Sequence, residues 1–155
     1  MFAVPGDPAL LSVVEAAPPD ALYLHVPFCP SICPYCDFHK MKRHEGLVAA
    51  YLDRFDRESA ELAARYPLRM RTVYLGGGTP SMLQDAELER VAAVLERDWA
   101  LSGAVEVTLE ADPLTYDAGR LRFFRQLGFT RLSIGLQSLS DDTLKFLGRQ
   151  HDAAA

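Results

Sequence analysis

Cys29, Cys33 and Cys36 stand within eight residues of chain in the spacing C-x3-C-x2-C, and they are the only cysteines in the sequence. Thiolates are soft ligands, so three of them on one short loop with Pro30 and Pro34 between them point to a metal. Iron–sulfur clusters are held by cysteine thiolates, usually four. Three would leave one corner of a cubane open to a small molecule. Zinc is the alternative, because His39 follows at a distance that completes a Cys3His set and structural zinc sites accept such short spacings. Both readings stay open on these residues alone. A disulfide framework instead calls for an even count and an oxidising compartment, and cysteines acting as small apolar residues have no reason to cluster.

The loop must be presented by something rigid. Ala21 to Val26 reads as a short strand, with Tyr23 and His25 on one face and Leu22, Leu24 and Val26 on the other. Pro27 ends it, and the cysteines begin where it stops. Residues 1–20, with Pro5, Gly6, Pro8 and the Pro18-Pro19 pair, read as an irregular lead-in. A helix follows from Glu45 to about Arg65, with Leu47, Tyr51, Phe55 and Leu62 on its apolar side, Arg57/Glu61 and Glu61/Arg65 pairing outside, and Pro67 closing it. Arg71 to Leu75 is the second strand, running into Gly76-Gly77-Gly78-Thr79-Pro80. Ser81 with Gln84 matches a capping box, opening a helix that uses Leu88, Val91, Val94 and Leu95 and ends near Trp99. Ala104 to Leu109 is the third strand, with Val105, Val107 and Leu109 alternating against Glu106, Thr108 and Glu110. Asp117 to Leu127 is a helix using Leu121, Phe124 and Leu127, with Gly128 as its C-terminal cap. Arg131 to Gly135 is the fourth strand, and Ser140 caps a helix carrying Leu144 and Leu147.

Four strand–helix units in succession make a parallel α/β sheet. A flat doubly wound sheet buries both faces and favours continuous apolar strands. These strands alternate, offering Tyr23/His25, Glu106/Thr108/Glu110 and Ser133/Gly135/Gln137 on one side, which favours a curved sheet with a polar concave face. The loops at the C-terminal strand ends are where such folds place their sites.

Composition narrows the class. With 155 residues, 49% of them hydrophobic, there is material for one domain and its core. A net charge of -5 with mixed signs leaves no general nucleic-acid footprint. No apolar run is long enough to span a bilayer, so any membrane association would be peripheral. The first twenty residues hold Asp7, Glu15 and Asp20 but no Lys or Arg, unlike a secretory signal or a mitochondrial presequence. A reducing cytoplasm suits free thiolates.

The string YLHVPFC…CPYCDF, Tyr23 to Phe38, resembles the cluster loop of the radical S-adenosylmethionine (SAM) family. It is most similar to the branch holding anaerobic coproporphyrinogen III dehydrogenase and the heme chaperone subgroup. Gly76 to Pro80, Leu109 to Pro113, Arg131 to Ser138 and Leu147 to His151 are similar to the family's later segments in the same order, so the resemblance covers about residues 21–154. It implies a partial (β/α) barrel in which Cys29, Cys33 and Cys36 hold a [4Fe–4S] cluster. SAM would chelate the open iron and be cleaved to methionine and a 5′-deoxyadenosyl radical. It also implies that Tyr35 contacts the adenine, Tyr23 packs by the sulfonium and His25 lies close to the cluster. Gly77, Gly78 and Thr79 would line the methionyl amino group, and Glu110 would hold the ribose or that amino group. Gln137 and Arg149 would contact SAM, Arg149 through its carboxylate.

One departure selects within the branch. The dehydrogenases carry a further cysteine two residues beyond the last ligand, and here that position is Phe38. The resemblance therefore implies a heme chaperone, with cluster and SAM retained, and leaves decarboxylation in doubt. The alternative is an oxygen-independent coproporphyrinogen III oxidase. The implied partners are heme, heme-accepting proteins and a low-potential electron donor such as flavodoxin or ferredoxin. Because family members are much longer, residues 21–155 are expected to be the N-terminal part of the core domain. The subgroup's heme-binding segment would lie beyond it.

Overall fold

Two rows of apolar side chains decide how the strands stack. The structure, a computed structural model, describes residues 19–66 and 68–154. Its main sheet is parallel and four-stranded, built from β1 (Ala21–Val26), β4 (Thr72–Gly77), β5 (Glu106–Ala111) and β6 (Arg131–Ile134), in that spatial order. Leu24, Leu75, Leu109 and Leu132 pair across all four strands, and Leu22, Val73 and Val107 across three. This face belongs to the core. The opposite row is Tyr23, Tyr74, Thr108 and Arg131.

Parallel strands need crossovers, and the crossovers cover the apolar face. They are α1 (Glu45–Arg65), α2 (Asp85–Trp99) and α3 (Ala118–Gln126), followed after β6 by the short α4 (Asp141–Phe146). Val48 and Leu52 of α1, Leu88, Val91, Leu95 and Trp99 of α2, and Phe124 of α3 complete one continuous core. Gly128 ends α3 with φ +97°, the left-handed conformation its glycine permits. The α/β class and the four strand–helix units are as expected.

Several local expectations are corrected. In α1, Tyr51, Phe55 and Leu62 pack against the core as expected, but the fully buried positions are Val48, Leu52 and Ser59, and Leu47 is exposed. The ion pair spaced i,i+4 along α1 is Arg54–Glu58 at 3.4 Å, not Arg57/Glu61 or Glu61/Arg65. The second strand starts one residue later than expected and runs through Gly77. Val105 lies outside the third strand and is exposed. Leu121, expected in the core, is likewise exposed. The capping box of α2 is Gln84 with Glu87, not Ser81 with Gln84. Pro80 begins a 3-10 turn instead, and the Ser81 hydroxyl is taken by Thr115 at 2.5 Å. Ser140 occupies the N-cap of α4 without a side-chain hydrogen bond. Nearly all of the proposed lead-in and the Pro67 helix stop lie outside the described residues.

Candidate metal and cofactor site

A small clip that periodicity did not reveal closes the cysteine loop. β2 (Phe28–Cys29) and β3 (Met41–Lys42) pair in parallel. The Met41 N–H donates to Pro27 O at 2.7 Å and the Arg43 N–H to Cys29 O at 3.0 Å. Arg43 also holds Glu87 through two hydrogen bonds of 2.8 and 2.9 Å, tying the clip to the start of α2. Inside the loop, Lys40 Nζ donates to the carbonyl of Cys36, and the Cys36 N–H turns back to Cys33 O.

Strand β4 arrives against this clip. Gly78 N–H donates to Val26 O and Thr79 N–H to Phe28 O. A Cβ on Gly78 would stand 2.5 Å from Phe28 O, and one on Gly77, whose φ is +110°, would stand 2.5 Å from the His25 ring. The glycine run is required by the chain's own groups.

His25 is committed on both ring nitrogens. Its Nε2 lies 2.8 Å from His39 O. A carbonyl only accepts, so Nε2 carries the hydrogen and Nδ1 accepts a hydrogen bond from the Tyr23 hydroxyl at 3.0 Å. His25 therefore ties the strand to the far end of the cysteine loop.

A cleft of about 650 Å³ opens at the C-terminal ends of the strands. Cys29, Cys33, Cys36, Tyr35, Gly77, Gly78, Thr79, Glu110, Gln137 and Arg149 all line it. Of the predicted set, Tyr23 and His25 do not: Tyr23 stacks on Tyr74 at 6.0 Å on the same sheet face, and His25 lies behind Gly77. His39, the proposed fourth ligand of the zinc alternative, is exposed and outside the cleft lining. The three cysteines are free thiols, Cys29 buried and the other two half-buried. Burial and the neighbouring Cys36 and Cys33 push the Cys29 thiol up, against the opposing hydrogen bond of Thr79.

Across the cleft, the Glu110 carboxylate accepts from Tyr74 Oη at 2.7 Å and from the Gly77 N–H at 3.0 Å. Burial and that carboxylate raise the Tyr74 phenol above its ordinary value. Arg149 donates through Nη2 to Asp112 and to Gly135 O (2.9 Å), and its Nη1 lies 3.6 Å from Cys33 Sγ. Burial and the Cys33 charge raise Tyr35, although Arg149 opposes them. Gln137 reaches the cleft from a left-handed backbone, φ 66°.

Sequence reasoning missed Tyr74, Lys40, Asp112 and His151. Tyr74 had a signal: it stands in register between Tyr23 and Thr108, on the polar row. Lys40 acts within its own loop on backbone carbonyls, which no motif signals, and Asp112 and His151 are placed by contacts to Arg149, Leu114 and Leu136.

Residues 23–155 match the sequence model of the Radical SAM superfamily. The heme chaperone HemW of Escherichia coli is 37% identical over 139 residues, which are 86% of this chain and 36% of that protein. The Mus musculus radical S-adenosyl methionine domain-containing protein 1, mitochondrial, is 43% identical over 140 residues, 86% of this chain and 30% of its own length. Among solved structures, the coproporphyrinogen III oxidase HemN of Escherichia coli, a radical SAM enzyme, matches with a TM-score of 0.83 at 29% identity. That match covers 95% of this chain and 35% of HemN, so the open sheet follows part of that enzyme's barrel. The chain thus spans about a third of the length of the curated relatives it matches. The chain belongs to the radical SAM superfamily.

Proposed function

We propose that the chain binds a [4Fe–4S] cluster through Cys29, Cys33 and Cys36 and SAM in the adjoining cleft. We further propose that the protein it forms part of is a heme chaperone, delivering heme to acceptor proteins. The observation that carries this reading is the single cleft that gathers three free thiols with the glycine segment, Glu110, Gln137 and Arg149. The donor set suits the cluster by its chemistry, since three free thiols line the cleft and would leave one corner of a cubane to another ligand. The cleft suits a ligand bearing an anionic group, since the buried Nε of Arg149 has no hydrogen-bond partner.

In this reading the cluster, when bound, supplies an electron to SAM. The chain's residues bind and orient. Tyr35 offers an aromatic face for the adenine, Glu110 an acceptor for a ribose hydroxyl or the amino group, and Arg149 a donor for the carboxylate. Gly77, Gly78 and Thr79 keep that wall low, and Gln137 contributes an amide. Tyr23 and His25 act from behind it, His25 by holding the cysteine loop through the His39 carbonyl.

The similarity to HemW supports the heme reading, as does Phe38 at the position where the dehydrogenases carry cysteine. The structural likeness to HemN favours a second reading, oxygen-independent oxidative decarboxylation of coproporphyrinogen III. A flavodoxin or ferredoxin is the proposed electron donor. The proposed compartment is the cytoplasm, whose reducing conditions suit three free thiols. No helix among the described residues is long and apolar enough to cross a membrane.

Anaerobic reconstitution tests the reading. It predicts about four irons per chain and an electron paramagnetic resonance spectrum of the reduced cluster that changes when SAM is added. Stoichiometric zinc without a cluster signal would sink it. Heme titration of the longer protein then separates the readings: tight heme binding without turnover supports the chaperone, and decarboxylation of coproporphyrinogen III supports the oxidase.

A further inference from the structure

We propose that Asp112 and His151 are positioning residues for Arg149, holding its guanidinium so that Nε, its one nitrogen without any partner, is kept for an anionic ligand group. The proposal rests on the SAM-binding reading above and extends it to Asp112, which lines the cleft beside Arg149, and to His151, which does not line it.

The five N–H donors of a guanidinium lie in one plane with fixed directions, so fixing two nitrogens aims the third. Arg149 is fixed in this way. Its side chain is 10% exposed and that of Asp112 16% exposed. Nη2 donates its two hydrogens to the Asp112 carboxylate and the Gly135 carbonyl, and His151 Nδ1 lies 3.5 Å away as the acceptor of a shared, three-centre contact. Nη1 faces Cys33 Sγ. The remaining donor, Nε, is buried without a partner. Leaving a buried charged donor unsatisfied is costly unless something arrives to accept from it.

The His151 tautomer follows from its other neighbour. The ring is buried, and Nε2 lies 3.1 Å from Leu136 O. Because that oxygen only accepts, Nε2 bears the hydrogen and the Nδ1 lone pair is turned toward Arg149. The same contact anchors the segment that carries Gln137 in its left-handed conformation. Asp112 is equally fixed, its carboxylate accepting from the Leu114 N–H at 3.1 Å at the end of β5. Arg149 is therefore set by groups at the ends of β5 and β6 and by the cysteine loop at once.

The test is SAM affinity of the cluster-loaded protein, read by titrating the change in the reduced spectrum, with iron content measured alongside. Asp112→Asn keeps the shape and removes the charge. His151→Phe keeps a ring and removes both hydrogen bonds. Each is expected to weaken SAM binding about 10- to 100-fold while iron content holds. In an Arg149→Lys background, which has already lost the fork, neither should cost more than about twofold further. Unchanged affinity in both variants overturns the proposal, as do equal losses in the lysine background or a loss of iron that parallels the loss of SAM. If the unmodified protein shows no SAM response, the SAM-binding reading itself fails and takes this one with it. That failure is distinguished by occurring before any substitution.

Discussion

At Gly78 the obstacle to a side chain is the backbone oxygen of Phe28, 2.5 Å from where a Cβ would lie. Backbone inside a paired clip does not swing away as a side chain does. Gly78→Ala is expected to lower stability by about 1–3 kcal/mol, read as a shift in denaturant midpoint. It should also reduce iron uptake, because Phe28 immediately precedes Cys29. An unchanged midpoint would mean that the clip yields. The cysteines were legible because ligands on one loop leave a spacing in the sequence. The glycine run was legible as a segment, but its cause was not, since His25, Phe28 and Glu110 press on it from elsewhere in the chain. His25 was singled out for the cluster, and its hydrogen bonds show a side chain occupied in holding the loop shut.

Between elements, α1 and α2 meet through a buried polar chain as well as apolar packing. Trp99 Nε1–H donates to Ser59 Oγ at 2.8 Å, and the Ser59 hydroxyl donates to Asp98 at 2.6 Å. Ser59→Ala leaves the indole N–H unpaired in the core. The expected cost is about 1–3 kcal/mol, measurable by chemical denaturation, and a neutral substitution would show that the indole finds another acceptor. Asp98 adds a pH dependence. Arg97 holds its carboxyl below the usual carboxylate range, with help from Ser59 and against the effect of burial. A folded-state value below the unfolded one gives stability that is present above the unfolded value and lost as pH falls through the folded one. The stability gap between the native chain and Asp98→Asn should therefore be flat near neutrality and shrink as pH drops below about 3.9. A gap that persists in strong acid would assign Asp98 a purely steric role. The helix α1 was legible end to end because its apolar period runs for 21 residues. The start of α2 was not, because Ser81 fits the capping pattern while its hydroxyl is bonded to Thr115, 34 residues away. The β2–β3 clip is two residues on each side, too short for any period to appear.

At the scale of the sheet, the strand order makes β1 and β6 its two edges among the described residues. Around β6 lie exposed Ile134, Leu136, Leu139 and Phe146. An open strand edge beside apolar surface invites pairing with another chain. The 155-residue chain by itself is therefore expected to self-associate with rising concentration, as read by light scattering. A monodisperse, cooperatively melting monomer would count against this. The parallel α/β order was legible from four repeated units, whereas the closure of the cleft was legible only through the family resemblance, because its walls come from opposite ends of the chain. Arg149 touches Cys33 across 116 positions. Synthesis runs from the N-terminus, so all three thiols leave the ribosome on the order of ten seconds before the arginine that flanks one of them. During that interval the nascent loop has its sulfurs without the far wall of the cleft. Free thiols on an uncovered loop are open to oxidants and other metals, so a slow stretch of translation ahead of residue 149 would lengthen that exposure without altering a single amino acid.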